Sequence, residues 1–219
     1  MIILLLGLPG AGKGTQAKRI AEDLRIPHIS TGELFRKAVQ ERTELGLQVR
    51  EYMEKGELVP DGVTIGLAVK RLAGADCEKG FLLDGFPRNV IQAEALDQYL
   101  ASRSMRIDRV IDVAVDETLL LERLTGRRVC SGCGASYHQI YQPPQNADRC
   151  DLCGERLIHR EDDQQSTVIE RLRINKDLTD RLACYYKAAG ILRTVDGSQE
   201  VGAVSSEILE CLDIRSDGK

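Results

Sequence analysis

A glycine-rich loop directly after a short apolar run is the feature that most constrains the fold of this chain. Residues 2–6 are apolar throughout, and residues 7–15 read Gly-Leu-Pro-Gly-Ala-Gly-Lys-Gly-Thr before helical spacing begins. Glycines let successive backbone N–H groups turn inward toward an anion, while a lysine and the start of a helix add positive charge. The order of strand, loop and helix therefore predicts a site for a phosphate-bearing ligand.

The loop differs at one position from the common G-x-x-x-x-G-K-[ST] pattern. That pattern has a hydroxyl residue directly after the lysine, whereas here Gly14 separates Lys13 from Thr15. The alternative is a glycine-rich turn between a strand and a helix that binds no ligand. The complete sequence of strand, loop and helix favours the phosphate site.

Composition limits the classes of protein to which the chain can belong. A length of 219 residues with 42% hydrophobic content predicts one main domain with a small appended module. A formal net charge of −4 argues against a nucleic-acid-binding surface, but it allows a local cluster of arginines around a small anion. The odd number of cysteines and the lack of a basic start before the first apolar run predict a cytoplasmic protein without an export signal or a membrane span.

Apolar stretches alternate with amphipathic stretches along most of the chain, which predicts an α/β fold with helices on both faces of a parallel sheet. Strands are expected at residues 2–6, 28–30, 81–83, 110–115 and 194–196. Helices are expected at residues 17–24, across most of 30–56, and at 90–100, 116–124, 168–182 and 201–212. Pro27 is expected to close the first helix, and Ser30 with Glu33 forms a capping-box pattern at the start of the second.

The alternation stops at residues 127–163, a segment too poor in apolar periodicity to pack a core of its own. It contains the pairs Cys130-Ser-Gly-Cys133 and Cys150-Asp-Leu-Cys153, separated by sixteen residues. This spacing matches a structural zinc site, because four thiolates saturate tetrahedral Zn²⁺ and leave no position for water or substrate. An iron–sulfur cluster, two disulfides and unligated thiols remain alternatives.

A third pattern follows the apolar stretch at 81–83. In an open parallel sheet, residues just past the carboxyl end of a strand face the ligand crevice, which places Asp84 and Arg88 beside the glycine-rich loop. Asp84 is suited to holding a hydrated Mg²⁺, and Arg88 to gripping a second phosphate. The alternative is a turn aspartate and a surface arginine without a ligand.

Taken in order, these and several further motifs resemble the adenylate kinase family, in its long form with a zinc-bearing lid. The further motifs are Ser30-Thr31-Gly32 through Arg36, Leu58-Val59-Pro60-Asp61, Gly126-Arg127-Arg128, Arg160 before Asp162-Asp163, and Arg171. The family also carries the loop in which a glycine precedes the threonine. The resemblance covers nearly the whole chain and implies a P-loop-type parallel five-stranded sheet with helices on both faces.

The resemblance also implies an organisation and a reaction. The implied core domain comprises residues 1–29, 60–126 and 164–219, with a helical arm for the nucleoside monophosphate at 30–59 and the lid at 127–163. The implied reaction is the Mg²⁺-dependent, reversible conversion of ATP and AMP to two ADP, with structural Zn²⁺. The expected partners are these small molecules alone, with no nucleic acid and no membrane, and the expected state is a monomer.

Site residues follow from the same resemblance. The implied ATP contacts are Gly10, Ala11, Gly12, Lys13, Gly14, Thr15, Arg123, Arg127, Ser136, Tyr137 and Gln199. The implied AMP contacts are Thr31, Arg36, Glu57, Leu58, Val59, Gly85, Phe86, Pro87, Arg88, Gln92, Arg160 and Arg171. The implied catalytic groups are Lys13, Asp84, Arg88, Arg123, Arg160 and Arg171. Gln199 stands where the family often has a lysine, but the family contact there is mainly through the backbone.

Two other functions remain open from the sequence. A kinase for UMP, CMP or GMP would have the same fold, and the resemblance points to Thr31 and Gln92 as the residues on the adenine side. A zinc-ribbon protein that binds nucleotide or nucleic acid belongs to a different class. The acidic charge balance opposes a nucleic-acid surface, and the chain has no Asn-Lys-x-Asp pattern for guanine, since Leu178 follows Asn175-Lys176-Asp177.

Overall fold

A computed structural model describes residues 1–213 and has a central parallel sheet. The strands are β1 (Ile2–Leu6), β2 (His28–Ser30), β3 (Phe81–Asp84), β4 (Arg109–Ala114), β5 (Arg127–Cys130), β6 (Ser136–His138), β7 (Leu157–Ile158) and β8 (Leu192–Asp196). Within the described residues, five of them form the sheet in the order β2–β3–β1–β4–β8. The α/β fold with a five-stranded parallel sheet is thus confirmed. Residues 214–219, which the sequence places in the core domain, lie outside the described residues.

Helices cover both faces of this sheet, as predicted. They are α1 (Lys13–Leu24), α2 (Thr31–Gln40), α3 (Glu44–Lys55), α4 (Asp61–Leu72), α5 (Val90–Ser102), α6 (Glu117–Thr125), α7 (Gln165–Ala188) and α8 (Val201–Cys211). Helices α4 and α5 and the C-terminal part of α7 pack on one face. Helices α1, α6 and α8 and the N-terminal part of α7 pack on the other.

Strand β1 lies in the middle of the sheet and is buried on both sides. Ile2, Leu4 and Leu6 contribute to one hydrophobic cluster, and Ile3 and Leu5 to the other. Each of the five side chains is less than 5% exposed. Because both faces are covered by helices, the strand needs an apolar residue at every position rather than at alternate ones. This requirement explains the unbroken apolar run before the glycine-rich loop.

Two helix boundaries follow local chemistry. Helix α1 ends at Leu24, the last residue of the predicted helix, because Arg25 has a left-handed φ of 53°, so the helix has already stopped before the chain reaches Pro27. The backbone N–H of Arg25 and that of Ile26 donate to carbonyls of the last helical turn, which satisfies them. Half of the predicted capping box at α2 is present: the hydroxyl oxygen of Ser30 accepts from the backbone N–H of Glu33 at 3.4 Å, whereas the carboxylate of Glu33 lies 3.7 Å from Lys18.

The cysteine-containing segment has regular structure that the sequence did not predict. Strands β6, β5 and β7 form an antiparallel sheet in that order. Each strand has four residues or fewer, which is too short for a recognisable alternation. The buried residues of the segment form a small cluster of Cys130, Tyr137, Cys150 and Leu157. Two of these four are cysteines of the predicted metal site, so side-chain packing alone supplies little of its core.

Helices α2 and α3 pack together as a separate unit beside the sheet. Phe35, Val49 and Val59 form its buried cluster. The hydroxyl oxygen of Thr43 caps α3 by accepting a hydrogen bond from the backbone N–H of Gly46 at 3.1 Å. Across residues 1–213, none of the helices combines the length and the apolar character that crossing a lipid bilayer requires.

We predict that shortening a core side chain of β1 destabilises the protein far more than shortening an exposed leucine. Leu4 is fully buried, so Leu4→Ala should lower the free energy of unfolding by about 2–5 kcal/mol. Leu47 on α3 is 65% exposed, and Leu47→Ala should change it by less than about 0.5 kcal/mol. Urea denaturation followed by circular dichroism measures both. Equal effects of the two variants would contradict the described core.

Candidate functional site

The glycine-rich loop has a backbone that only glycine adopts readily. Gly7, Gly10 and Gly12 have φ values of 128°, 88° and 92°, in the region that favours residues without a Cβ. Gly12 is also the N-cap residue of α1. At Gly10 a Cβ would lie 2.9 Å from the Cγ of Leu124, so space is restricted as well as conformation. The loop therefore wraps closely around the N-terminal end of α1, where helix N–H groups are free to bind an anion.

Lys13 is the first residue of α1, and its side chain folds back over the loop. Its ammonium group donates to the carbonyl oxygens of Gly7 at 2.7 Å and Leu8 at 2.9 Å. Burial lowers the pKa of Lys13 to about 8, although the nearby carboxylate of Asp84 acts in the opposite direction. The loop thus holds a buried cation whose charge an anionic ligand would stabilise.

Asp84 ends β3, and the sheet places it next to the loop. It lies opposite Leu5 of β1 and Ser30 of β2 in the parallel register. Its Oδ2 lies 3.9 Å from the Nε2 of His28, a ring nitrogen that has no hydrogen-bond partner within the described chain. A Cβ added to Gly14 would meet Oδ2 at 3.5 Å. The carboxylate is therefore at the loop, where the sequence predicted it.

Arg88 and Gln92 belong to a hydrogen-bonded network at the start of α5. The guanidinium Nε of Arg88 donates to the carbonyl of Gly85 at 2.9 Å, and Thr31 donates its hydroxyl to the same carbonyl at 2.8 Å. The amide oxygen of Gln92 accepts from the backbone N–H of Arg88 at 2.8 Å, and its nitrogen donates to Asp61 at 2.7 Å. These two contacts fix the orientation of the Gln92 amide.

A cleft between the α2–α3 unit and the sheet contains most of the predicted AMP contacts. Those that line it are Thr31, Arg36, Glu57, Leu58, Val59, Arg88, Gln92 and Arg171. Lining residues that the sequence did not assign are Gly32, Phe35, Met53, Gly56, Thr64 and Asp162. Four predicted contacts, Gly85, Phe86, Pro87 and Arg160, are not among the lining residues. The side chain of Phe86 is 1% exposed and packs in the hydrophobic core, so only its backbone could face a ligand.

Three arginines around the cleft have no ion-pair partner within residues 1–213: Arg36, Arg88 and Arg160. Burial is the main cause that lowers the pKa of each, to about 10 for Arg88 and about 9 for Arg160. The positive charge of Arg171 lowers the pKa of Arg88 further, and that of Arg36 lowers the pKa of Arg160 further. Buried guanidinium groups that repel one another are a strong indication of an anion-binding site.

Two carboxylates that the sequence did not assign to the site hold two of the predicted arginines. Asp163 is fully buried, and its carboxylate accepts hydrogen bonds from two nitrogens of Arg127, Nε at 2.8 Å and Nη2 at 2.5 Å. Arg171 lies 3.0 Å from Asp162. Burial would raise the pKa of Asp162, but Arg171 and other nearby arginines lower it below its usual value. The available signal was that both aspartates follow Arg160 within three residues. The sequence alone does not show which arginine each aspartate contacts.

The predicted ATP contacts outside the loop are spread over α6, β5, β6 and the turn between β8 and α8. Arg123 of α6 donates to the carbonyls of Gly197 at 2.8 Å and Ser198 at 3.5 Å, which places it beside the exposed Gln199. Ser136 is exposed on β6. The side chain of Tyr137 is instead 7% exposed, and its hydroxyl lies 3.4 Å from the Sγ of Cys150.

The four cysteines of the two pairs come together in one cluster. The sulfur atoms of Cys130 and Cys153 are 3.4 Å apart, those of Cys133 and Cys150 are 3.5 Å apart, and all four lie within 4.8 Å of one another. Zn–S bonds of about 2.3 Å in a tetrahedron require sulfur separations of roughly 3.8 Å. None of the four thiols forms a disulfide in the structure. The donor set and its spacing fit a zinc ion.

Comparison with known proteins identifies the family. A model of the family described as "Adenylate kinase" matches residues 5–191. The chain belongs to the adenylate kinase family. Adenylate kinases from a Geobacillus species and from Archaeoglobus fulgidus are each 53% identical to it, over 97% and 95% of this chain and 98% and 96% of the relative. The adenylate kinase of Bacillus subtilis is 51% identical over 97% of this chain and 98% of the relative. The resemblance noted in the sequence is confirmed over nearly its whole length.

The pKa of Lys13 leads to a prediction for adenylate kinase chemistry. Phosphate oxygens favour the protonated amine, so ATP affinity should be nearly constant below about pH 7 and should fall by roughly thirtyfold between pH 7 and pH 9.5 as Lys13 loses its proton in the free protein. Calorimetry in buffers of different ionisation enthalpy should show proton uptake on binding that is small at pH 7, about half a proton near pH 8 and close to one proton at pH 9.5.

Two lysine variants test this assignment. Lys13→Ala should bind ATP weakly at both pH values and lack the proton uptake. Lys18, on the same helix, has a side chain that is 44% exposed and lies 3.7 Å from Glu33, so Lys18→Ala should keep the uptake. A pH dependence that survives in Lys13→Ala would contradict the assignment.

Proposed function

We propose that this chain transfers the terminal phosphoryl group of ATP to AMP, reversibly, and releases two molecules of ADP. The observation that carries the proposal is a group of partly buried cations without an ion-pair partner in residues 1–213, with Arg36 and Arg88 lining the cleft and Lys13 and Arg160 near it. Membership in the adenylate kinase family supports the identity of the two nucleotides. An anionic junction between two nucleotides supplies the negative charge that these groups lack.

The reaction requires positioning more than a reactive protein group. A phosphate oxygen of AMP attacks the γ-phosphorus of ATP, the bond from that phosphorus to the bridging oxygen breaks, and ADP leaves with the bond electrons. Charge spreads over the oxygens of the phosphoryl group in transit, so fixed cations lower the barrier. Lys13 at the loop and Arg88 in the cleft are the proposed groups nearest to that charge. Arg123, Arg160 and Arg171 complete the proposed set.

The acceptor base is proposed to lie among Thr31, Thr64 and Gln92. All three line the cleft, and the orientation of the Gln92 amide is fixed by Arg88 and Asp61. This arrangement leaves the second N–H proton of Gln92 as a donor for a ring nitrogen of a base. Val59 and Phe35 supply apolar surface on the same cleft. A fixed donor beside apolar walls suits a flat purine ring.

The donor nucleotide is proposed to run from the loop toward α6 and β6. Residues 10–15 of the loop hold its phosphates, and Arg123, Arg127, Ser136 and Gln199 surround the nucleoside. Tyr137, which the sequence grouped with these residues, contributes its backbone only, because its side chain is directed at Cys150.

Magnesium is proposed to be held through water by Asp84. The carboxylate lies beside Gly14 at the loop, and carboxylate oxygens are ligands that Mg²⁺ prefers. When bound, the ion neutralises phosphate charge that the loop and the arginines do not reach. The unpartnered Nε2 of His28, 3.9 Å from Asp84, leaves a polar group there for a metal-bound water.

We further propose that residues 30–59 act as an arm and residues 127–163 as a lid, both moving against a core of residues 1–29, 60–126 and 164–219. Closure brings Arg36 from the arm and Arg127 from the lid over the phosphates and excludes water, which would otherwise compete with AMP as acceptor. One chain supplies every residue proposed here, so the proposed active form is a monomer. The thiols of the lid must stay reduced, which favours a cytoplasmic location.

The metal of the lid is proposed to be structural zinc, which orders a segment with few buried apolar side chains. Cys130→Ser should remove about one zinc per chain and lower the thermal midpoint by several degrees, while turnover at low temperature falls less than tenfold. Cys184 is exposed and lies outside the cluster, so Cys184→Ser should change neither quantity. Elemental analysis and differential scanning calorimetry make the comparison. Wild-type protein without stoichiometric zinc would contradict the proposal.

The proposed reaction is tested by measuring acceptor use with purified protein. ADP formation from ATP and AMP, UMP, CMP or GMP is followed in a coupled assay, with and without Mg²⁺. AMP should be used at least a hundredfold more efficiently, as kcat/KM, than the other acceptors, and activity should require the metal. Equal use of UMP or CMP would show that the cleft does not select adenine.

A further inference from the structure

We propose that Tyr137 is a positioning residue for the metal of the lid, acting through a hydrogen bond from its hydroxyl to the thiolate of Cys150. This inference rests on the proposed zinc site, and it assigns to Tyr137 a role different from the ATP contact that the sequence suggested. The hydroxyl lies 3.4 Å from the Sγ of Cys150. A group at this distance from a ligand atom can orient it without itself touching the metal.

The direction of the hydrogen bond follows from the second partner of the hydroxyl. The backbone N–H of Asp151 donates to the oxygen of Tyr137 at 2.8 Å. Because an amide nitrogen can only donate, the tyrosine oxygen is the acceptor in that contact and its own proton remains available. The sulfur of Cys150 is the nearby acceptor for that proton. The hydroxyl of Tyr137 thus links the backbone N–H of Asp151 to the sulfur of the preceding residue, Cys150.

The surroundings make this contact strong. Tyr137 and Cys150 are 7% and 3% exposed and belong to the same small buried cluster. Four thiolates around one divalent cation carry excess negative charge, and hydrogen bonds to the sulfurs reduce it. Cys130 receives backbone N–H groups from Gly132 and Cys133, each at 3.4 Å.

The same residue connects the metal to the strands that carry proposed ATP contacts. Tyr137 lies between Ser136 and His138 on β6, and it pairs with Arg128 of β5, which follows Arg127. A shift of the phenol ring would therefore move both strands relative to the metal. Tyr137 is accordingly expected to affect the metal site first and nucleotide binding only as a consequence.

The experiment compares Tyr137→Phe with Tyr141→Phe in the full chain. Tyr141 is on the same segment, but its hydroxyl donates to Glu122 at 2.8 Å and is absent from the metal cluster. The zinc dissociation constant is measured by competition with a chromogenic chelator at fixed pH. Tyr137→Phe should weaken zinc binding by about 10- to 100-fold, whereas Tyr141→Phe should stay within about twofold of wild type. With Co²⁺ in place of zinc, only Tyr137→Phe should shift the sulfur-to-metal charge-transfer band.

A measurement on the wild-type chain covers the case in which Tyr137→Phe fails to fold. In protein loaded with an NMR-active cadmium isotope, the hydroxyl proton of Tyr137 should exchange slowly and show scalar coupling to the metal through the Cys150 sulfur. Zinc affinity and cobalt spectrum unchanged in Tyr137→Phe, equal weakening in both variants, or no such coupling would overturn the role of Tyr137. Wild-type protein that binds no stoichiometric metal would instead overturn the proposed zinc site itself.

Discussion

Burial of cationic side chains around one cleft is the constraint on which the rest of the structure depends. An ammonium or guanidinium group that is removed from water loses hydration, which disfavours its charged form. The pKa values of Lys13, Arg88 and Arg160 are lowered mainly for this reason. The protein offsets it only in part, with Asp84, Asp162 and Asp163. The remaining charge makes the cleft a binding site for anions before any ligand is considered. Phosphoryl transfer also needs fixed positive charge, because its transition state carries negative charge on the phosphoryl oxygens.

The fold serves this constraint by bringing residues from distant parts of the chain to one edge of the sheet. The loop after β1, the turn after β3 and the start of α2 after β2 meet there because parallel strands place their carboxyl ends at the same edge. The arginines come from α2, α6 and α7, from the turn between β3 and α5, and from the segment that contains the cysteines. The cysteine cluster lies in that segment rather than among the cations, which is consistent with a metal that orders a segment rather than reacts.

Much of the fold could be predicted from the sequence because the relevant signals are local. The apolar run of β1, the cap at Ser30 and the two cysteine pairs each fix a feature within a few residues. The left-handed residue Arg25 that ends α1 was not predicted, because such a residue without glycine gives no pattern, and β5 to β7 were missed because they are too short to show one. At the site, the partners of Arg127 and Arg171 could not be predicted, since those ion pairs form only when the segment folds back. The direction of the Tyr137 side chain could not be predicted either, because a strand residue can face either side of its sheet.

In the proposed complex, two nucleotides lie end to end in a single cationic cleft. Calorimetric titration with two adenosines joined by five phosphates, together with inhibition kinetics against each substrate, tests this arrangement. One molecule should bind per chain, far more tightly than ATP or AMP alone, and it should compete with both substrates. Competition with only one of them, or an affinity no better than that of ATP, would contradict this arrangement.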